Sequence, residues 1–293
     1  MEIRSQTVSP GVPDRSTSRS DQAKYRLFFE INKDDATIQK VKKAYYCADQ
    51  KNGFTVMDIE LPISILPQPD DTTCGPTCLH AIYDYYQYAC DLDTLISDIK
   101  KLDNGGTLAV FLACDALRRG YRATIYTYNL QMFDPTWFTA KGMNLQERLE
   151  KQAREKQDEK LIHATDGYLE FLALGGKLRY IDLTTRLLRS ILRRRLPILT
   201  GLSSTYLYQE RRGYGPNDEP DDIRGFPCGH FVVLSGYHRQ DRTILVADPY
   251  KKNPMAVGQF YPVNIDRVIC AILLGVLTYD ANLLVIHPRK ENV

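Results

Sequence analysis

The residues best suited to covalent chemistry lie at 66–78, Leu-Pro-Gln-Pro-Asp-Asp-Thr-Thr-Cys-Gly-Pro-Thr-Cys. Cys74 closes a loop-forming run of prolines, aspartates and threonines. After it, Cys78, Leu79, Ile82, Tyr83 and Tyr86 form an apolar stripe at helical spacing. Thr72 or Thr73 is a candidate cap, and Pro76 suits a first turn, where a missing N–H leaves no bond unmade. Cys74 is therefore expected at a helix N-terminus, whose free N–H groups and positive dipole end favour negative charge on a sulfur. Gln68 stands upstream on a loop that can fold back and offer its amide beside that sulfur. A nucleophile next to a neutral donor is the beginning of an acyl-transfer site.

A thiol nucleophile needs a base. His230 opens the strand-like run Gly-His-Phe-Val-Val-Leu-Ser-Gly-Tyr, and Asp248 closes the next one, Ile-Leu-Val-Ala-Asp-Pro. A short polar turn joins the two runs, so an antiparallel hairpin brings the start of the first near the end of the second. An imidazole that takes a thiol proton needs an acceptor to orient its other nitrogen, and Asp248 can be that acceptor. A cysteine early in the chain, with a histidine and an acid far downstream, is the order expected of a cysteine enzyme.

The stretch Gln68–Pro76 with Cys78-Leu79, then Gly229–Leu234, then Ala247-Asp248-Pro249, resembles the bacteriocin-processing, double-glycine leader peptidases of the papain-like superfamily. The resemblance covers about residues 55–250. It implies an α+β, papain-like cysteine peptidase fold, with a helical lobe carrying the nucleophile packed on an antiparallel sheet lobe carrying the histidine and the aspartate. It also implies the roles: Cys74 as nucleophile, His230 as base, Asp248 as its orienter and Gln68 as oxyanion donor. No transporter segment follows in the sequence, which points to a stand-alone relative with a substrate of its own.

Three activities fit such a site: hydrolysis of a peptide or isopeptide bond, transfer of the acyl group to an amine, and peptide binding without turnover. The first is the reading adopted, with a peptide or peptide-like substrate and no cofactor. Asp71, Thr73, Gly229, Ser203 and Tyr206 are the candidates to line the substrate cleft. No metal is expected: Cys74, Cys78 and His80 on one helix lack the spacing of a zinc knuckle, and no second cysteine pair follows. Cys47, Cys78, Cys90, Cys114 and Cys270 sit in apolar patterns as packing residues, and Cys228, close to His230, is a candidate disulfide partner for Cys74.

The bounds agree. A chain of 293 residues can bury a large core, and a net charge of +2 marks it for neither nucleic acid nor an acidic membrane. The longest apolar run, Val268–Tyr279, is too short to span a bilayer, and seven scattered cysteines without a secretory signal point to the cytoplasm.

The elements follow from periodicity. Residues 1–23 read as a disordered arm, 24–60 as a strand-and-helix extension, and 61–293 as the catalytic domain with a helical insertion or lid at about 142–183. Helices are expected at 93–101, 107–119, 144–161, 168–174, 184–195 and 265–277, and strands at 121–129, 197–202, 230–237, 243–247 and 282–287. Residues 203–229 read as a long polar loop forming one wall of the cleft. The helix at 184–195 carries Arg186, Arg189, Arg193, Arg194 and Arg195, a solvated face or an anion-binding patch.

Overall fold

A computed structural model describes residues 59–102, 105–139 and 142–289; the expected arm and all of the N-terminal extension but Ile59 and Glu60 lie outside the described residues. The fold is α+β. An eight-stranded sheet runs in the order β3-β2-β10-β4-β7-β8-β9, and β1 pairs with β7 as well. The strands are β1 (Ile59–Glu60), β2 (Arg122–Thr127), β3 (Lys177–Arg179), β4 (Ile198–Ser203), β7 (Gly229–His238), β8 (Thr243–Ala247), β9 (Phe260–Asn264) and β10 (Asn282–His287). A separate hairpin pairs β5 (Gly213–Tyr214) with β6 (Glu219–Pro220). The large sheet is antiparallel except for the parallel pair β2–β3.

The helices are α1 (Cys74–Tyr85), α2 (Leu92–Asp98), α3 (Ala109–Arg118), α4 (Leu145–Lys156), α5 (Glu159–Ala173), α6 (Thr185–Arg193), α7 (Ser204–Tyr208) and α8 (Ile265–Leu274). Six of them start on a side-chain cap that the sequence spells out: Asp91, Asn144, Asp158, Thr184, Ser203 and Asn264 each accept a backbone N–H from the first turn. No helix among the described residues is long and apolar enough to cross a membrane.

Several expectations change. The charged helix expected over 144–161 is two helices, because Gln157 adopts the left-handed conformation that ends α4 and Asp158 caps α5. The helix expected at 168–174 is the second half of α5. This pair is built into the core: Leu149, Leu161, Ala164, Tyr168 and Phe171 are buried, and α5 packs against α3. Residues 203–229 are not a plain loop but carry α7 and the β5–β6 hairpin. Strand β9 has no counterpart in the sequence reading, since Pro262 counts against a strand. Its place at the sheet edge explains why a residue without an N–H is tolerated there.

The central strand β7 has all but its two end residues buried, so its apolar run packs on both sides. Helix α1 lies against it, and Gly75 marks the closest approach. A Cβ at Gly75 would stand 2.7 Å from Thr107 Cγ2 and 3.2 Å from Phe231 Cδ2, so glycine lets the first turn fit closely against Thr107 and β7. Farther along α1, the buried Tyr83 hydroxyl donates to Asp115 on α3 at 2.6 Å, and Arg119 Nε donates to the same carboxylate at 2.7 Å. Arg119 also pairs with Asp98 at 2.9 Å, so Asp115 and Arg119 together tie α1, α2 and α3.

Replacing Asp115 leaves a buried hydroxyl and a half-buried guanidinium without their acceptor. Asp115→Ala is expected to lower unfolding free energy by about 3 kcal/mol in denaturant titration, and Asp115→Asn by less. An unchanged midpoint for both variants would show that the carboxylate does not hold this helix cluster.

Candidate active site

The register of the sheet sets the histidine beside the acid. Val233 of β7 pairs with Ala247 of β8, so Asp248 faces Val232, and His230 lies two residues further along the same face. Diagonal neighbours on one face of an antiparallel pair are within reach of long side chains. His230 Nε2 stands 2.8 Å from Asp248 Oδ1, and Cys74 is close enough to the ring to contribute to its electrostatics. With Nε2 facing the acid, Nδ1 is left for the thiol. The imidazole therefore lies between the sulfur and the carboxylate.

Asp248 is fully buried, and four donors satisfy it. Oδ1 accepts from His230 and from the Tyr250 backbone N–H at 2.8 Å. Oδ2 accepts from the Tyr208 hydroxyl at 2.7 Å and from the Tyr261 hydroxyl at 2.5 Å. Burial by itself raises the acid, but the His230 charge and the hydrogen bonds from His230, Tyr261 and Tyr208 outweigh it and hold Asp248 below its ordinary carboxyl value. Burial by itself lowers His230. The bond to Asp248 and the charges of Asp248 and Cys74 reverse that, and the imidazole titrates above its ordinary value. The site is built to hold an imidazolium.

Cys74 is the first residue of α1, as the sequence predicts, and is largely buried. Thr73 occupies the cap position, yet its side chain caps nothing. Its hydroxyl is engaged with Asp70 instead, donating to the Asp70 carbonyl at 3.1 Å and accepting the Asp70 N–H at 3.2 Å. Thr72 is likewise drawn to the Asp70 carboxylate, at 2.8 Å through both its N–H and its hydroxyl. The N–H groups of Cys74 and Gly75 therefore keep no intrahelical or capping acceptor, at the point where the sulfur sits.

Gln68 is held near the acid through its backbone, whose N–H donates to the Pro249 carbonyl at 2.9 Å. Its side chain is turned into its own loop: Nε2 donates to the Asp70 carbonyl at 2.8 Å, and Oε1 is buried without a partner. No hydrogen bond joins the Gln68 amide to Cys74 or His230 among the described residues. One of its two amide hydrogens is thus engaged and one is open. Gln259, absent from the sequence reading, fastens the loop: its Nε2 donates to the Leu66 and Asp248 carbonyls, both at 3.0 Å, and its own carbonyl accepts the Asp248 N–H at 2.8 Å.

The candidate cleft residues divide. Thr73 and Asp71 lie on the Cys74 loop. Asp71 is exposed and close enough to Tyr250 that its charge adds to burial in raising that phenol. Gly229 adjoins His230 and packs on Thr278, whose Oγ1 would stand 2.7 Å from an added Cβ. Ser203 is buried as the cap of α7, and Tyr206 is exposed. These two line a separate hollow of about 270 Å³ with Thr205, Gln209, Arg212 and Pro227, in whose lining neither Cys74 nor His230 takes part. Cys228 is a free thiol turned to the β5–β6 hairpin, with Sγ 3.9 Å from the Phe226 carbonyl oxygen. Cys78 donates to the Phe231 carbonyl at 3.3 Å within the core. Neither tyrosine stands out in the sequence: Tyr208 lies in the stretch expected as a polar loop, and Tyr261 lies beside Pro262 in β9.

No family model matches the sequence, and no curated protein matches it. Solved structures are similar to it. One is a double-glycine-motif protease from an AMS/PCAT transporter in complex with the leader peptide, at 14% identity, 80% of this chain, 97% of that chain and a TM-score of 0.38. Another is a C39-like peptidase from Bacillus anthracis, at 14% identity, 80% and 99% coverage and a TM-score of 0.41. A third is xylellain, a cysteine protease from Xylella fastidiosa, at 12% identity, 80% and 86% coverage and a TM-score of 0.41.

The His230–Asp248 pair carries a stability signature. Asp248 is depressed, so its contribution is present above the ordinary carboxyl range and lost as pH falls through its lower folded value. His230 is raised, so its contribution is complete below about pH 6.5 and lost as pH rises through its higher folded value. Wild-type stability minus that of His230→Ala is therefore expected to be largest between about pH 4.5 and 6.5 and to shrink on both sides. A difference that is flat from pH 4 to 9 in denaturant titrations would mean that the pair is not ionised as described.

Proposed function

We propose that this chain is a cysteine peptidase of papain-like mechanism, which hydrolyses a peptide or isopeptide bond through a thioester on Cys74. The observation that carries this reading is the placement of one imidazole between the sulfur of Cys74 and a buried, four-fold satisfied carboxylate. A structural histidine has no need of both partners.

In this reading His230 holds the Cys74 proton on Nδ1, and the thiolate attacks the substrate carbonyl carbon. The oxygen that becomes negative meets the open N–H groups of the first turn of α1 and, once the loop engages substrate, the second amide hydrogen of Gln68. His230 then returns its proton to the leaving amine, and the acyl group stays on sulfur as a thioester. Water, deprotonated by the now neutral His230, releases the acid and restores the thiol. Asp248 keeps its charge throughout and orients the ring. A cytoplasmic setting, where thiols stay reduced, goes with a chemistry that requires one. Transfer of the acyl group to an amine uses the same thioester, and the choice between acceptors is a matter of which reaches the carbonyl first.

Three measurements bear on this. Limiting iodoacetamide near pH 6 is expected to modify Cys74 ahead of the exposed Cys270, and the preference should vanish in His230→Ala. First labelling of Cys270 in wild type would remove the assignment of Cys74. On a peptide substrate found by screening, Cys74→Ala and His230→Ala should abolish turnover, Gln68→Ala should raise the barrier by about 2.7–4 kcal/mol, and Asp248→Asn should retain a residue of activity. Wild-type rates for both Gln68→Ala and Asp248→Asn would defeat the mechanism. Finally, the trapped thioester should discharge in water at a rate unaffected by added amines. A thioester that persists until one amine accepts it would make the protein a transferase.

A further inference from the structure

The arginine-rich stretch around α6 finds its use together with a different element. Because Thr124 of β2 pairs with Lys177 of β3 and with Val285 of β10, these residues share one face of the sheet. Two residues further along each strand, Arg179, Tyr126 and His287 stand on that same face. The opposite face at this place is dry: Ala123, Ile125, Leu284 and Ile286 are buried. Arg194, the last-turn cap of α6, closes the side with Ser190 and Leu196, and the result is a cleft of about 510 Å³.

The lining holds the side chains of Lys177, Arg179 and Arg194 and the ring of His287, and no carboxylate. Among the described residues none of those three cations makes an ion pair or a hydrogen bond. Two other arginines of the stretch face elsewhere: Arg189 lies over the Tyr237 ring at 5.1 Å, and Arg195 donates to the Glu60 carbonyl at 3.4 Å. The walls are also fixed in place. Tyr85 and Tyr86, at the end of α1, donate to the Arg195 carbonyl at 3.0 Å and the Ile286 carbonyl at 2.9 Å, the residues next to Arg194 and His287. Three like charges converging on a preformed concavity repel one another unless an anion joins them, and a surface that only needed solubility would intersperse acids.

We propose that this cleft binds a small phosphate-bearing anion. Three cations from a strand and a helix end call for a ligand with more than one negative charge, which a single carboxylate does not have. A phosphate carries about −1.5 to −2 near neutral pH and offers the oxygen geometry that guanidinium groups match in pairs. The volume lies in the range of small-ligand sites and accommodates a nucleotide-sized molecule. The proposal rests on β2, β3, β10 and α6 alone and does not depend on the peptidase reading.

The test is calorimetric titration of the full chain with pyrophosphate and with ADP, at two salt concentrations. Saturable binding of at least one of them is expected, weakening as salt rises. In Arg179→Ala/Arg194→Ala, both side chains exposed, affinity should fall about tenfold or more with the far-ultraviolet spectrum and melting temperature unchanged. Arg154→Ala/Lys156→Ala on α4, equal in charge lost, should stay within about twofold of wild type. Absence of saturable binding at millimolar ligand, or equal losses in the two double variants, would overturn the proposal. Citrate binding as tightly as pyrophosphate would overturn the phosphate assignment. A short single-stranded oligonucleotide binding more tightly than ADP, and lost with Arg179 and Arg194, would hand the cleft to a nucleic-acid backbone instead.

Discussion

A carboxylate with no exposure to solvent is the constraint around which this fold is arranged. Burying an ionised acid costs several kcal/mol unless every lone pair finds a donor. Asp248 meets that demand with His230 from β7, Tyr208 from α7, Tyr261 from β9 and the backbone of Tyr250. Four segments thus converge on one charge. The segment between β4 and β7, polar and irregular over much of its length, has its position set at both ends. Tyr208 binds the acid, and Ser204 and Thr205 hydrogen-bond to the backbone of Cys228, two residues before the histidine.

The sulfur side of the site answers to packing rather than charge. Helix α1 packs tightly at Gly75 against Thr107 and Phe231, and its far end is held by the Tyr83–Asp115–Arg119 cluster and by the two tyrosine hydroxyls on Arg195 and Ile286. The cap that would ordinarily stabilise the helix start, about 1 kcal/mol, is forgone, because Thr73 is spent on Asp70. That leaves backbone donors open beside the Cys74 sulfur. In the proposed reading, local stability is given up where the chemistry would use unsatisfied groups.

The two concave features of the sheet follow opposite electrostatic rules. At the β7–β8 end a single anion is surrounded by donors and neutralised. At the β3–β2–β10 end cations gather with no anion to meet them. In the proposed readings the first is a closed account of charge within the chain, and the second is complete only with a ligand. Helix α1 touches both regions, with Cys74 at one end and the wall-holding tyrosines at the other.

Much of this was legible in the chain itself. Periodicity located most helices and strands to within a few residues, since amphipathic stripes and alternation are local physics. The Cys-Gly-Pro helix start, the two strands and the Asp-Pro turn were local too, and hairpin geometry then set His230 near Asp248. What the sequence could not decide was everything that depends on distant partners. A threonine at a cap position reads as a cap, but competition from Asp70 takes its hydroxyl. A glutamine near the cysteine reads as an oxyanion donor, but its amide is turned to its own loop. Tyr261 looked like nothing beside Pro262, because an edge strand breaks the rule by which strands are recognised. The arginines of α6 read as one face, yet register and helix packing separated them and put Arg194 with Lys177 and Arg179 from a strand too short to announce itself. Types and spacings in a sequence determine which groups can react; only the tertiary structure decides which neighbours have already claimed them, because hydrogen bonds and like charges are settled between residues far apart in the chain.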